Sequence, residues 1–199
     1  MNSTPSGVWW SIACRRCGPI SRASPTRRLV PDAGGPVPES GQVTIRPAVL
    51  TDLPAIVHLL ADDPLGATRE RDVDPLPEAY RIAFAAIDAD PMNELVVACA
   101  ADGAVVGTLQ LTITASLSRL GTTRATIEGV RVAAAARSLG LGQRLVEWAI
   151  DRARARGCGV IQLTTDRTRV DAHRFYERLG FVASHVGMKR MIAPDRSVA

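Results

Sequence analysis

The stretch RSLGLG, residues 137–142, is the most informative part of the sequence for predicting the fold. The preceding run ATIEGVRV, residues 125–132, is rich in β-branched residues and has the length of a strand. From Leu141 to Arg156, apolar residues recur every four positions, which predicts one stripe of an amphipathic helix. The glycines therefore mark a turn from a strand into a helix. Such a turn points free N–H groups outward at the positive end of the helix, where phosphate binds readily.

Two familiar phosphate-binding motifs do not fit this turn. A dinucleotide fingerprint needs a third glycine three residues after the second, where this chain has Leu145. A Walker loop ends in Gly-Lys-Ser/Thr, whereas Gly142 is followed by Gln143. A tight turn without a ligand stays an alternative for a glycine pair considered alone. The pattern that fits is [RQ]-x-x-G-x-[GA] between a strand and a helix.

Three separate signatures carry a resemblance to a known family. The turn resembles the acyl-CoA pyrophosphate loop of the GCN5-related N-acetyltransferase (GNAT) superfamily. The run DAHRFYERLGF, residues 171–181, resembles the last helix of that superfamily, which ends in F-Y-x-x-x-G-F. The run VTIRPA, residues 43–48, followed by Thr51-Asp52-Leu53, resembles its first strand and helix cap. The match covers about residues 43–192 and, within the superfamily, is most like aminoalkylphosphonate-type N-acetyltransferases.

The order of the patterned segments predicts an α/β (α+β) domain. We expect a GNAT-like mixed central sheet of about six to seven strands with helices on both faces. The predicted strands are 43–48, 94–100, 105–114, 125–132, 160–165 and a closing hairpin of 181–183 with 187–192. The predicted helices are 53–61, 76–87, 141–156 and about ten residues ending at Leu179-Gly180.

Composition divides the chain into an extension and a domain. With 46% hydrophobic and 22% charged residues, the 199-residue chain has the profile of a soluble globular protein. Residues 1–42 are dense in Ser, Pro, Gly and Arg, so we expect a disordered segment or an extension, then an N-acetyltransferase domain over 43–192 and a tail over 193–199. The extension holds +3 of the net charge of +4. The near-neutral body argues against nucleic acid as a partner, and no apolar run is long enough for a membrane helix.

The cysteines argue against a structural metal and against secretion. Cys14 and Cys17 form a lone C-x-x-C without a second pair of ligands, so we expect no metal. We expect Cys99 and Cys158 to be small buried apolar residues. Four scattered cysteines without a secretion signal predict a cytoplasmic protein. We expect the Trp9-Trp10 pair to be an exposed aromatic element of the extension.

The resemblance implies that acetyl-CoA is the co-substrate and that the turn holds it. N–H groups of the turn would face the pyrophosphate, and an arginine would add charge. The pantetheine arm of the donor would pair like an added strand with the backbone of the strand before the turn. The residues assigned in this way are Val130, Val132, Arg137, Ser138, Leu139, Gly140, Leu141, Gly142 and Gln143. Arg178 either reaches the ribose phosphate or belongs to a solvated helix face.

Acyl transfer to an amine needs two proton transfers. The resemblance assigns protonation of the leaving thiolate to Tyr176, whose phenol is a donor at neutral pH; the alternative is a core aromatic residue like Phe175. Glu128, on a strand among apolar residues, is the first candidate for the base that deprotonates the ammonium. His173 and Asp166 are the next candidates. Some relatives have an acid one position later, where this chain has Gly129. A shift of one residue along a strand moves a side chain to the opposite face of the sheet. Only a bulge or a different face convention would therefore let an acid at either position serve as the base.

The acceptor amine is not identified by the sequence. Many relatives have Asn where this chain has Arg169, and Asp171 is the candidate to replace its contact with the cofactor arm. Acceptor specificity is expected from the first two helices and the loop 117–123. Three arginines in or near those helices would suit an anionic amine such as an aminophosphonate, although exposed helix charges are the default. They are Arg69, Arg71 and Arg81.

The resulting hypothesis is an acetyl-CoA-dependent N-acetyltransferase that uses direct transfer in a ternary complex, because no motif positions a nucleophilic cysteine. The acceptor is a small-molecule or peptide amine, and a homodimer is compatible with the sequence. One alternative is an acyl-CoA-binding regulatory or sensor module with little turnover. Another is a partner-binding protein in which the basic, Trp-bearing N-terminal arm binds the partner and the domain itself is inert.

Overall fold

One mixed five-stranded sheet forms the centre of the protein, in the order β1-β2-β3-β4-β5. The structure is a computed structural model that describes residues 43–63, 65–190 and 192. Strands β1 to β4 are joined by antiparallel pairing, and β5 adds to β4 in parallel. The strands are β1 (Thr44–Pro47), β2 (Asn93–Cys99), β3 (Val105–Thr114), β4 (Arg124–Val132) and β5 (Val160–Leu163).

Helices cover both faces of this sheet, as the sequence predicts. They are α1 (Leu53–Ala61), α2 (Glu78–Ala89), α3 (Ser118–Gly121, a single turn), α4 (Leu141–Ala155) and α5 (Val170–Arg178). Short 3-10 turns precede α1 and α4, at Leu50–Asp52 and Ala134–Ala136. Gly157 has φ +71° directly after α4, and this left-handed conformation ends the helix as expected for a glycine there.

The core is divided by the sheet into two apolar layers. On one face, Leu145 and Ala149 of α4 pack against Leu109 and Leu111 of β3. On the other face, α1 and α2 contribute a layer with Val97 of β2. Successive side chains along a strand point to opposite faces of the sheet. In the strongly alternating β3, every second side chain therefore packs in the α4 layer. Cys99 and Cys158 both pack in these layers, Cys99 fully buried.

Asp52 precedes α1 and fixes the entry into that helix. Its carboxylate accepts two hydrogen bonds from Arg46, at 2.7 and 2.9 Å, and a third from the Val49 N–H at 2.9 Å. Hydrogen bonds from Arg46 hold the pKa of Asp52 below its usual value, although burial opposes the shift. The predicted cap position is therefore occupied by Asp52, but its side chain binds the preceding turn and β1 instead of the N–H groups of α1.

The predicted six to seven strands are corrected to five in the described part of the chain. The expected closing hairpin of 181–183 with 187–192 is not formed there as a pair of strands. Phe181 packs against the α4 layer, but Val182, Met188 and Ile192 are each at least 81% exposed. Because the rest of the segment has no buried face, the alternation that suggested strands stabilises no ladder.

Strand β4 contains a β-bulge at Gly129. Arg131 pairs with Thr108 and Glu128 with Gln110, so β4 has one residue more than β3 between the two pairs. Gly129 has φ +60°, a conformation that favours glycine. The bulge changes the side on which the following side chains lie, so Ile127 and Val130 both contact the α4 layer. A bulge at this point is one of the two conditions under which an acid at 128 was predicted to serve in place of one at 129.

Candidate active site

The turn between β4 and α4 has the backbone geometry of an anion-binding loop. Ser138 and Gly140 adopt left-handed conformations, with φ of +69° and +76°. Gly140 is the N-cap of α4, and no side chain caps the helix. The first N–H groups of α4 are consequently left for a ligand, at the positive end of the helix dipole.

A cleft of about 490 Å³ lies in front of this turn. Of the nine residues predicted to hold the donor, the cleft is lined by seven, whereas Val130 and Leu139 do not line it. Arg178 and Phe175 of α5 line the opposite side. The complete lining is Val132, Ala136, Arg137, Ser138, Gly140, Leu141, Gly142, Gln143, Phe175, Arg178 and Leu179.

Gly142 keeps the cleft open toward α5. A Cβ atom at this position would lie 3.5 Å from Cζ of Phe175 and 3.9 Å from Cγ2 of Val132. These are ordinary contact distances, so alanine fits without strain, while a branched side chain would extend between α4 and α5. The two glycines are thus favoured for different reasons. Gly140 adopts a left-handed backbone conformation, whereas Gly142 leaves space in front of the turn.

Among the described residues, no strand pairs with the edge of β4 that faces β5 over the second half of β4. β4 and β5 pair only from Arg124–Val160 to Ile127–Leu163, and the two strands separate after the bulge. The N–H of Ala133 donates to the carbonyl of Val106 in β3. Because backbone groups alternate in direction along a strand, those of Val130 and Val132 face the gap on the other side. Their carbonyls accept hydrogen bonds from side chains, Val130 from Arg131 at 2.8 Å and Val132 from Arg137 at 3.2 Å.

Tyr176 lies on α5, beside the cleft but not in its lining. Its ring makes edge contacts with Phe175 and Phe181, at centroid distances of 5.0 and 5.9 Å. Burial raises the pKa of Tyr176 above its usual value, and the charges of Arg169 and Arg131 only partly oppose this. The phenol therefore keeps its proton at neutral pH, which a general acid requires.

Glu128 is exposed and lies just before the bulge, opposite Gln110 of β3. It shares its side of the sheet with a row of polar residues that are hydrogen-bonded to each other. Asn93 Oδ1 accepts from Gln110 at 3.0 Å and from Thr112 at 2.8 Å. The carboxylate is thus open to solvent on a polar surface, and it is not buried among apolar side chains as its sequence neighbours suggest.

Arg137 reaches back from the turn to the end of α1. Its Nη2 donates to Asp62 Oδ2 at 2.8 Å and to the Asp62 carbonyl at 3.1 Å. Both side chains are about half exposed, so the pair is a surface ion pair of modest stability. The guanidinium that was predicted to add charge for a phosphate is held at the rim of the cleft by this contact.

A cluster of one acid and two arginines, which was not predicted from the sequence, lies close enough to Tyr176 for both arginine charges to act on its phenol. Asp63 Oδ2 is 2.9 Å from Arg131 Nη2 and 3.0 Å from Arg169 Nη2. Burial raises the pKa of Asp63, but N–H donors from Gly66 and Leu65 and the two guanidinium charges hold that pKa below its usual value. Arg131 is flanked by two valines in β4, and a charge between apolar strand residues is the signal that could have identified it.

The remaining candidates from the sequence lie around α5. His173 Nε2 is 3.0 Å from the carbonyl of Asp166, and the Asp166 carboxylate binds Thr168, so both residues brace the loop before the helix. Asp171 is 96% exposed and pairs with Arg174 on the outer side of α5. Arg81 pairs with Glu78 of its own helix at 3.8 Å.

Several predictions concern residues that the structure does not describe. Trp9, Trp10, Cys14 and Cys17, the extension over 1–42 and the tail over 193–199 lie outside the described residues. Among residues 43–63, 65–190 and 192, no three His, Cys, Asp or Glu side chains are arranged to hold a metal ion. No helix in that part of the chain has the length and hydropathy to span a membrane.

The fold and the site define a class of protein, and comparison with known proteins identifies it. Residues 53–181 match the model of the acetyltransferase (GNAT) family, so this chain belongs to that family. It is 34% identical over 108 residues to an aminoalkylphosphonate N-acetyltransferase from Salmonella typhimurium, a match that covers 54% of this chain and 69% of that protein.

Two solved structures illustrate the range of its relatives. One is a protein from Bacillus halodurans C-125 described as a transcriptional regulator. It is 56% identical, with a TM-score of 0.73 over 75% of this chain and 99% of that chain. The other is a presumed acetyltransferase from Agrobacterium tumefaciens strain C58. It is 31% identical, with a TM-score of 0.66 over 75% of this chain and 99% of that chain.

Proposed function

We propose that the protein transfers an acetyl group from acetyl-CoA to a primary amine by direct transfer in a ternary complex. The observation that carries this proposal is the gap between β4 and β5, which opens at the Gly129 bulge and ends at the uncapped start of α4. A long donor with an anionic end fits such a gap, because the strand edge and the helix terminus supply backbone donors in line.

The donor would be held by the turn and by the free edge of β4. N–H groups from Ser138 to Gln143 would bind the pyrophosphate, and Gly142 leaves the space that it needs. The backbone of Val130 and Val132 would pair with the pantetheine arm after the side chains of Arg131 and Arg137 release the two carbonyls. When bound, acetyl-CoA supplies the activated acetyl group.

Tyr176 and Glu128 would carry the two proton transfers. Tyr176 stays protonated in its apolar surroundings and would give its proton to the leaving sulfur. Glu128 would accept the ammonium proton, directly or through water, because its exposed carboxylate lies beside the point where the strands separate. The polar row around Asn93, Gln110 and Thr112 would face the acceptor on that side of the sheet.

Direct transfer is supported by the positions of the two described cysteines. Cys99 is buried in the layer of α1 and α2, and Cys158 follows the C-terminal end of α4, the opposite end from the turn. Burial raises the pKa of the Cys158 thiol, which disfavours a nucleophilic thiolate. We therefore propose that no acyl-cysteine forms, and that the amine attacks the thioester itself.

The domain limits and the setting are part of the same proposal. Residues 43–192 would be the acetyltransferase domain, residues 1–42 an extension and residues 193–199 a tail. The domain would act in the cytoplasm on a small-molecule or peptide amine, without nucleic acid or membrane as a partner. The Salmonella relative makes aminoalkylphosphonates the first acceptors to test.

The experiment is a thiol-release assay with acetyl-CoA and a panel of primary amines, with product identity checked by mass spectrometry. We expect amine-dependent release of CoA and an acetylated product for at least one amine. Binding of acetyl-CoA without amine-dependent turnover across the panel would support the alternative of a regulatory module instead. A trapped acetyl group on the protein after donor alone would contradict direct transfer.

A further inference from the structure

We propose that Arg131 and Arg169, held together by Asp63, form a subsite that binds an anionic group of the acceptor. This inference rests on the proposed function, since it names the class of acceptor for the same site: primary amines that carry a phosphonate, phosphate or carboxylate. The three residues come from β4, the N-cap of α5 and the turn after α1, and the charges of both arginines act on the phenol of Tyr176.

The cluster carries an excess of positive charge. Two guanidiniums face one carboxylate, whose Oδ1 accepts the N–H groups of Leu65 and Gly66 at 2.8 and 3.1 Å. One positive charge in the cluster is therefore uncompensated. The charge of Arg69 also acts on Arg131 and adds to this excess.

The two guanidiniums have donors to spare. Their contacts with Asp63 Oδ2 are close charge pairs, but neither directs an N–H at that oxygen with hydrogen-bond geometry. The Nε of Arg131 is buried and has no acceptor among the described residues. Within that same part of the chain, the guanidinium of Arg169 is held only by its pair with Asp63. A planar fork with free donors suits a multidentate oxyanion.

The electrostatics favour binding of an anion. Burial lowers the pKa of Arg131, and the like charges of Arg169 and Arg69 lower it further, while Asp63 opposes them. A partly buried guanidinium with like charges around it gains more from an anion than a solvated surface arginine does. Arg169 is 35% exposed, so the subsite is open to solvent at that residue.

The location fits an acceptor that reaches the acetyl group with its amine. Arg131 lies two residues after the bulge, where β4 and β5 have separated. Its charge and that of Arg169 both act on the Tyr176 phenol. An anion bound by this pair would thus place an amine one short chain away from the proposed acid, and would fix its direction of approach.

The test compares matched acceptors in the full-length protein. We expect kcat/KM to be about 10- to 100-fold higher for 2-aminoethylphosphonate or β-alanine than for ethanolamine, as charge-assisted hydrogen bonds allow. Arg169→Gln should remove most of this preference by raising KM for the anionic amines, and Arg169→Lys should restore part of it. The control is Arg174→Gln, which breaks an exposed ion pair on the outer side of α5 and should leave the preference unchanged.

A binding measurement tests the subsite without turnover. Methylphosphonate should raise the melting temperature of the wild type, with a weaker effect on Arg169→Gln and an unchanged effect on Arg174→Gln. Equal kcat/KM for anionic and neutral amines, or equal losses for both in Arg169→Gln, would overturn the proposal. Failure of the proposed function looks different, because acetyl-CoA would then give no turnover with any amine while the methylphosphonate shift could still depend on Arg169.

Discussion

Asp62 Oδ2 lies 2.8 Å from Arg137 Nη2, although the two residues are 75 positions apart in the chain. The neighbouring Asp63 pairs with Arg131 and Arg169. Two adjacent aspartates at the end of α1 therefore contact both ends of the candidate site, Asp62 the phosphate turn and Asp63 the surroundings of Tyr176. The link gives the first prediction.

Arg137→Gln should weaken binding of acetyl-CoA, and Asp62→Asn should strengthen it. The first change removes a charge at the rim of the cleft, while the second releases that charge from its partner. Both side chains are about half exposed, so we expect the unliganded stability to change by no more than about 1 kcal/mol. Calorimetric titration measures the two affinities. If both variants bind more weakly to the same extent, Arg137 braces the loop and its charge does not act on the ligand.

Gly142→Val should abolish the stabilisation by acetyl-CoA and leave a folded protein. A branched side chain would extend toward Phe175, from which a Cβ is already only 3.5 Å away. In the wild type, ligand at a hundredfold excess over Kd stabilises the fold by about 2.7 kcal/mol. Thermal melts with and without ligand measure the difference. Gly142→Ala is the control and should keep most of the shift; an undiminished shift in Gly142→Val would remove the turn from the donor site.

Tyr176→Phe should lower turnover by roughly 10²- to 10⁴-fold with little change in donor affinity. Burial raises the pKa of Tyr176, so the basic limb of kcat/KM against pH that it governs should lie above its ordinary value of about 10. Activity is present below that pKa and is lost as the pH rises through it. Tyr80→Phe, which loses a hydroxyl bonded to Glu70, is the matched control and should cost far less. Retention of near-full rate and of both limbs in Tyr176→Phe would refute its role.

Glu128→Gln should change the acidic limb of the same profile and leave the basic limb in place. The reason is that Glu128 is proposed to take the proton from the ammonium, whereas Tyr176 gives one to the sulfur. The profile should be recorded with one good amine for the wild type and the variant. An unchanged acidic limb would transfer the role of base to another group or to water.

Asp52→Asn should destabilise the fold by about 1–3 kcal/mol at pH 7, since the carboxylate binds Arg46 twice and the Val49 N–H once. The pKa of Asp52 is lowered in the folded state. Its contribution is therefore present above the unfolded pKa near 4 and is lost as the pH falls through the folded pKa. Urea titrations of both proteins at several pH values should show the difference shrinking toward acid. Asp151→Asn, which breaks an exposed ion pair, should show almost no difference in the free energy of unfolding.

A chain that begins at Gln42 should melt like the full-length protein and keep its activity. Residues 1–42 have no periodic apolar face that could dock on a domain. Melting curves and the thiol-release assay on both chains test this. Loss of a cooperative transition in the shorter chain would show that residues before Gln42 belong to the domain.

Local pattern predicted most of the fold, because helices and strands with one buried face repeat at 3.6 or 2 residues. The bounds of α1 and β3 follow from that repetition. The hairpin after Gly180 was wrong for the converse reason, since an alternating segment forms a strand only where a neighbour pairs with it. The Gly129 bulge cannot be located in a run of β-branched residues, because it depends on the register with β3.

The site divides in the same way. The turn before α4 is contiguous in the chain, so its glycines could be interpreted from spacing alone. Asp63, Arg131 and Arg169 come from three elements, and no local pattern joins them. Glu128 was judged from its apolar sequence neighbours, but side chains next to each other in a strand lie on opposite faces, and its own face is polar and exposed.

The bulge in β4 has a consequence for changes in length. It works as a phase shift: the side-chain alternation before Gly129 and the alternation after it are two series joined by one inserted residue. Deletion of Gly129 would join them into one regular alternation and leave every side chain on its present face. If the strand instead kept its length and lost the bulge, Arg131 would turn toward Leu145 of α4, and Val130 and Val132 would turn toward Asp63. The faces of Arg131 and of the two valines therefore depend on the bulge at this chain length, whereas a strand one residue shorter would reach the same arrangement without it.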